Sequence, residues 1–413
     1  MRSGGKWLVL LGSVLCAVLL GRWLLSRAES SGPLVEFIDN TAELDEFLKK
    51  SQGSGKELPP MSPDEFIERE PWSEALVGRF YPMIRKEATF TYDEELGFRR
   101  IKNRSVKRTL DEHPKGGYLI QSNSLGLRDR EIIDEFDVRI FFSGDSQTES
   151  VCGVEESFVN LLEGALSLRH PQHVVDVING GLGGTHPWHY LDTIKARADL
   201  SPDIHVSIFF GGNDLAGVIT LERYYRGRGP GRSRARAARE YKDALKAVPA
   251  GLGPVDLQQC LYFLSNPLDA EYAVAAWSAI AMEMARECER QGALFVPVYL
   301  PSPLSGQPDV YAAERQLIEE LMPDIFELME HQHVLADRWI EDLRQRDVEV
   351  FDLRPKLLAS RERLFWSKDF HLNLEGQVLV AEALEEALAP KVAALLSGSL
   401  PETAAEGDSD SPK

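Results

Sequence analysis

The sequence predicts an α/β fold: a doubly wound, five-stranded parallel sheet with helices on both faces, behind a small N-terminal β-rich cover. Three observations predict it. From residue 138 onward, short apolar β-rich runs alternate with stretches of helical period. The first run, Val138–Phe142, is broken only by Arg139, as suits a strand buried on both faces. Four of the five runs are followed by a small, polar or titratable cluster, as when strand ends share one edge.

In chain order, residues 1–27 are expected to form a signal anchor or transmembrane helix. Trp7 to Leu25 is almost wholly apolar, close to the ~20 residues that span a bilayer, and Arg2 and Lys6 precede it. The body is then expected outside the cytoplasm, periplasmic or extracellular. Ser26-Arg27-Ala28 is a passable cleavage site, which leaves a soluble exported form open. Residues 28–78 read as an acidic stem rich in Ser, Gly and Pro. From Arg79 the texture changes. Phe80, Tyr81, Phe90, Tyr92 and Phe98 are spaced like short strands, Asp93 to Gly97 supplies turn residues, and Tyr118 to Gln121 is a further strand. Residues 79–130 are therefore the cover.

The sheet strands are expected at Val138–Phe142, Val174–Ile178, Ile204–Phe210, Leu294–Leu300 and Val348–Leu353. Helices are expected over Glu156–Arg169, Trp188–Ala198, Ala270–Gln291, Tyr311–Arg346 (broken at Pro323) and Leu374–Ala389. An irregular insert follows the third strand, with a basic part at 222–254. Right-handed crossovers between parallel strands give the doubly wound, flavodoxin-like arrangement. The domain is expected to run over 79–396, and the Ser/Gly/Pro/acidic tail 397–413 to be disordered.

A net charge of −19 over 413 residues excludes a general nucleic-acid binder, because the phosphate backbone would repel it. The four cysteines have no close spacing, so neither a zinc knuckle nor a redox pair is written here. A Cys260–Cys288 disulfide stays open; buried free thiols are the preferred reading. His186 and His189, like His331 and His333, have no third ligand in view, so neither metal nor cofactor is expected. His186 and His189 lie close to the glycine turn, where they could line the site; the preferred reading is surface residues at a helix start.

The clusters carry chemistry. Gly144-Asp145-Ser146 follows the first strand, Asn179-Gly180-Gly181-Leu182-Gly183-Gly184 the second, Gly211-Gly212-Asn213-Asp214 the third, and Asp369-Phe370-His371 the fifth. Such an edge suits acyl transfer. A serine hydroxyl becomes a nucleophile when a base takes its proton. His371 is the candidate base for Ser146, and Asp369 the candidate orienter of the imidazole. The Ser146 N–H, an N–H of the Gly180–Gly184 turn and the Asn213 amide are candidate oxyanion donors. Asp145 and Asp214 read as braces of their turns.

These four blocks, with Leu372-Asn373-Leu374-Glu375-Gly376 after the histidine, resemble those of the SGNH (GDSL-type) hydrolase superfamily over about residues 90–395. The resemblance implies Ser146 as nucleophile, His371 as base, and Ser146, Gly184 and Asn213 as the oxyanion hole. Gly184 is taken because the family glycine usually stands five positions after an asparagine such as Asn179; Gly181 and Gly183 stay open. One departure matters. The family usually writes Asp-x-x-His, whereas Lys368 stands at that aspartate position and Asp369 lies two before His371.

Within the insert, Arg223, Arg226 and Arg228 begin a crowd of basic residues in an acidic protein. They are expected to form a basic lid that engages an anionic substrate. The function expected is a membrane-anchored or exported serine esterase acting on a small acyl group, acetyl for example, on a cell-envelope glycan or lipid. Two alternatives stand beside it: an O-acyltransferase using the same triad, and a glycan-binding scaffold that has lost catalysis.

Overall fold

The computed structural model describes residues 71–81, 84, 89–225, 254–265, 267–322 and 325–399. Two compact units divide the chain, one of residues 1–57 with Asn266–Leu268 and one of Leu58–Ser265 with Asp269–Lys413. The second holds the parallel sheet and the hairpins before it. The expected anchor 1–27, the stem as far as residue 70, most of the basic insert and the tail beyond residue 399 lie outside the described residues. Among the described residues no helix is long and apolar enough to cross a membrane.

The cover begins with α1 (Glu74–Phe80), capped by the Ser73 side chain on the Leu76 N–H. Two antiparallel hairpins follow: β1 (Phe90–Asp93) with β2 (Gly97–Arg100), and β3 (Ser105–Thr109) with β4 (Gly117–Gln121). The core sheet is built from β5 (Val138–Gly144), β6 (Val175–Asn179), β7 (Ile204–Phe210), β8 (Leu294–Leu300) and β9 (Phe351–Asp352). Its strands are parallel and ordered β6–β5–β7–β8–β9. The chain goes out from β5 to β6, then returns past β5 to β7. The crevice beyond the carboxyl ends of β5 and β7 is therefore the topological switch point, where ligands bind in open α/β sheets.

The helices between and after these strands are α2 (Ser146–Glu149), α3 (Phe158–Arg169), α4 (Pro187–Ala196), α5 (Asp214–Tyr225), α6 (Pro254–Ser265), α7 (Pro267–Arg290), α8 (Pro303–Gly306), α9 (Ala312–Leu321), α10 (Ile325–Arg344), α11 (Arg354–Ala359) and α12 (Leu374–Ser397). Alternation along the strands sends side chains to opposite faces. Ile140 and Phe142 share a core with Val206 and Ile208, with Phe158 and Leu162 of α3, and with Leu384 and Leu388 of α12. On the other face Phe209 meets Trp188 of α4, Trp277 of α7 and Trp339 of α10. The Phe209 ring lies 5.4 Å from Trp277 and 4.6 Å from Trp339, centroid to centroid. The charge inside β5 is also accounted for. Arg139 stands in register with Asp176 on β6, bonds its carboxylate at 2.6 Å and donates to the Leu200 carbonyl at 2.6 Å. A buried guanidinium is tolerated when it is so paired.

Three differences from the sequence reading have physical causes. β9 is only a two-residue edge strand, held by β8 on one side. α12 continues past Ala389 through Pro390 and stops at Gly398, whose φ of 65° closes it. The stretch after β7 is not irregular throughout: α5 and α6 flank it, because Leu215, Val218, Ile219 and Leu221 in one and Leu257 and Leu261 in the other are buried. Cys152, Cys260 and Cys288 are buried thiols outside any disulfide among the described residues.

Phe209 fills the aromatic face without a polar partner. Phe209→Ala should lower unfolding stability by about 3–5 kcal/mol, read as a reduced urea midpoint with an unchanged slope. A loss under about 1 kcal/mol would mean this face is loosely packed.

Candidate active site

Ser146 sits where β5 ends. From Val138 to Ser150 it alone is not buried. Asp145 caps α2, its carboxylate accepting the Gln147 N–H at 2.8 Å. Ser146 is the first residue of that helix, so its own N–H lacks an intrahelical acceptor. Among the described residues it has no other partner. The turn is under strain at its far end. Ser150 has φ 69° and ψ 144°, a region used almost only by glycine. Arg128 holds it there, donating to the carbonyls of Glu149 (2.9 Å), Ser150 and Cys152.

The histidine arrives from the segment before α12. His371 Nε2 lies 2.8 Å from Ser146 Oγ, and its Nδ1 is hydrogen-bonded to the Asp369 carboxylate. The shortened Asp-x-His spacing works because Phe370 takes φ 60°. A residue in the left-handed region folds the chain back, so side chains two apart meet. Trp366 closes the loop, its carbonyl accepting the Phe370 N–H at 3.0 Å and its N–H donating to the His371 carbonyl at 2.8 Å. For a bulky residue the left-handed conformation costs about 1–3 kcal/mol. Burial of Phe370 against Tyr311, with ring centroids 6.1 Å apart, opposes that cost.

The glycine turn after β6 resolves which N–H is free. Gly180 N–H donates to the Phe142 carbonyl, Gly181 N–H to Asn179 Oδ1, Leu182 N–H to the Gly144 carbonyl and Gly183 N–H to Glu149 Oε2. Gly184, at φ 81°, keeps an N–H without a partner among the described residues. Gly181 and Gly183 thus lose their claim as donors, and Gly184 keeps it. Gly181 has a different duty: a Cβ there would stand 2.4 Å from the Glu149 backbone nitrogen. Asn213 follows β7 across the switch point, and its side-chain amide is near enough to the Asp145 carboxylate to oppose the rise of its pKa.

The electrostatics favour a protonatable imidazole. Burial works against charge on His371. The Asp369 carboxylate, by hydrogen bond and charge, outweighs it with help from Asp145 and Glu149, and the His371 pKa is raised. Burial likewise opposes charge on Asp369, but the His371 contact and the charge of exposed Arg108 hold its pKa below the ordinary value. Burial pushes Asp145 up to about 6, against the Gln147 N–H and the His371 charge that hold it down. Burial and the nearby Asp145 charge drive Asp214 far toward its protonated form. It braces its loop by accepting the Tyr190 hydroxyl at 2.9 Å and the Phe210 N–H at 2.9 Å.

Several residues that build this site carry no local signal in the sequence. Glu149 is buried, bonded by Arg100 from β2 and by the Gly183 N–H at 3.0 Å, so it ties the cover to the glycine turn. Gln147 and Glu112 hold the histidine loop. His186 and His189, read as surface residues, are buried instead: His186 Nε2 shares a hydrogen bond with the Tyr81 hydroxyl at 2.9 Å and His189 stacks on Trp72 at 4.8 Å. They belong to the packing of the cover, whose aromatics need flat partners. The side chain of Arg223, on α5, and the whole of Arg226 and Arg228 lie outside the described residues.

Residues 142–324 match the GDSL-like lipase/acylhydrolase family model. No curated protein sequence matches the chain. Among solved structures the chain is similar to an acetyl xylan esterase, at 18% identity over 61% of this chain and 100% of that one, with a TM-score of 0.35. It is also similar to a lipase/acylhydrolase from Enterococcus faecalis, at 14% identity over 62% of this chain and 96% of that one, with a TM-score of 0.34. A lipase from a goat rumen metagenome matches at 15% identity over 60% of this chain and 97% of that one, with a TM-score of 0.38. The family match spans Ser146, the glycine turn and Asn213 and stops short of His371, which the fold itself brings to Ser146. Over residues 142–324 the chain carries a GDSL-like lipase/acylhydrolase domain, as an ester-cleaving serine hydrolase does.

Proposed function

We propose that the protein hydrolyses a small acyl ester, acetyl in the leading case, on a cell-envelope glycan or lipid, through an acyl-enzyme on Ser146. The observation that carries this reading is the continuous chain Ser146 Oγ, His371 and Asp369, with 2.8 Å between hydroxyl and imidazole. His371 Nε2 takes the Ser146 proton as Oγ attacks the ester carbonyl. The oxyanion faces the Ser146 and Gly184 N–H groups and the Asn213 amide. Collapse breaks the ester C–O bond, and the leaving alkoxide takes the proton from His371. Water then attacks the acyl-enzyme, again losing a proton to His371, and the carboxylic acid departs as Ser146 recovers its proton.

Asp369 holds the imidazole in the tautomer that accepts at Nε2 and stabilises its charged form. That its carboxylate reaches Nδ1 despite the shortened spacing favours a working base over a scaffold without activity. The same acyl-enzyme serves a sugar hydroxyl in place of water, so the test includes products formed with and without a glycan acceptor. Free acid in both cases supports hydrolysis; an acylated acceptor in place of acid supports transfer. The envelope location rests on the apolar stretch Trp7–Leu25. Deleting 1–27 should move the protein from the membrane fraction to the soluble one; no redistribution would remove this part of the proposal.

His371 acts as base only when neutral, and its pKa is raised. So kcat/KM should rise with pH through a midpoint above the ordinary imidazole value of about 6.5. Asp369→Asn should bring that midpoint down and lower kcat by roughly 10²–10⁴-fold. A profile flat across about pH 5–8 would count against His371 as base. The basic insert is tested separately. Replacing four of its arginines, Arg223, Arg226 and Arg228 among them, by Gln should raise KM for an anionic ester far more than for a neutral one. Equal effects on both esters would remove the lid from the proposal.

A further inference from the structure

The loop that carries Asp369 and His371 is held by two side chains outside the Ser–His–Asp chain. Gln147, the residue after Ser146, is 2% exposed and brackets the histidine. Its Nε2 donates to the Phe370 carbonyl at 3.2 Å, and its Oε1 accepts the Leu372 N–H at 3.1 Å. One amide thus grips the backbone on both sides of His371, from a position one peptide bond away from Ser146. The second holder comes from the cover. Glu112, in the turn between β3 and β4, accepts the Ser367 N–H at 2.6 Å and the Ser367 hydroxyl on Oε2, and the Lys368 N–H at 2.9 Å on Oε1. The same hairpin sets the His113 ring 5.9 Å from that of Trp366, whose indole N–H donates to the Val151 carbonyl at 3.2 Å.

These bonds fall where the chain needs them. Phe370 is in the left-handed region, and a loop bent this way relaxes unless its surroundings fix it. Relaxation would swing the carboxylate from Nδ1 and the imidazole from Ser146. Two of the holding bonds flank His371 and three lie on the residues just before Asp369. We propose that Gln147 and Glu112 are positioning residues for the Asp369–His371 pair, so that the N-terminal hairpin, which precedes the residues matched to the family, takes part in setting the catalytic geometry. The inference rests on the reading of Ser146 and His371 given above.

The test compares wild type with Gln147→Met, Glu112→Ala and Glu112→Gln in the full chain. It reads kcat and KM for an aryl acetate, the pH midpoint of kcat/KM, the rate of fluorophosphonate labelling at Ser146, and Tm. Gln147→Met keeps the volume and loses both bonds; Glu112→Gln keeps one acceptor oxygen. The expected result is a fall in kcat of about 10–100-fold for Gln147→Met and about 10-fold for Glu112→Ala, with KM within about twofold. Slower labelling should follow in proportion, and Glu112→Gln should fall between Glu112→Ala and wild type. The pH midpoint should move down, because His371 loses contact with the carboxylate that raises it. A packing role alone would lower Tm and leave the pH midpoint of the folded fraction in place. If Gln147→Met does not fold, the two Glu112 variants, at a half-buried hairpin turn, decide the matter. Unchanged kcat and pH midpoint in folded Glu112→Ala, or a change in KM alone, would overturn the inference. Absence of labelling in wild type would instead overturn the assignment of Ser146 as nucleophile, so the two failures are distinct.

Discussion

Ser146 Oγ and His371 Nε2 lie 225 residues apart in sequence and 2.8 Å apart in space. Closing so long a stretch of chain onto one hydrogen bond is unfavourable for the bond alone. The parallel sheet makes it affordable: every strand ends at the same edge, so each following turn is delivered to the same crevice. β5 and β7 set Ser146 and Asn213 on either side of the switch point, β6 sets Gly184 beside them, and the segment ahead of α12 brings His371 across. The order of the strands, more than any single contact, fixes which clusters meet.

Around that contact the protein buries several charges. Glu149 between Arg100 and the Gly183 N–H, Arg128 on three carbonyls, and Asp145 on the Gln147 N–H all lie on the turns around Ser146. Buried charges are weak sources of stability, because desolvation offsets most of the attraction. What they supply is definition. A guanidinium with several fixed acceptors admits one arrangement of the strained turn at Ser150, and a carboxylate with fixed donors admits one arrangement of the glycine turn. The cover contributes Arg100 and Arg128 to these buried charges, so it is part of the site's frame.

Much of this is legible in the sequence. The strands Ile204–Phe210 and Leu294–Leu300 appear with the limits that their apolar runs give, because strands buried on both faces leave an uninterrupted pattern. The apolar run Val348–Leu353 is longer than β9, because an edge strand is fixed by its single neighbour rather than by its own composition. Pro390 reads as the end of α12, because a proline usually ends a helix, yet the helix continues and Val392 beyond it is buried. At the site, Ser146, Asp369 and His371 stand where one turn and one loop put them together, and the departure at Lys368 is absorbed by Phe370. Gln147, Glu112 and Glu149 were not legible, since their partners are distant in sequence and no local pattern marks a residue by what it will touch.

The most direct measurement is rapid acid quench of the wild-type protein during turnover of an aryl acetate, followed by peptide mass spectrometry. The expected result is one acyl group on the peptide that contains Ser146, present during turnover, lost after substrate is exhausted, and absent from Ser146→Ala, which does not turn over. Turnover with Ser146 unmodified, and an undiminished rate in Ser146→Ala, would contradict the nucleophile assignment.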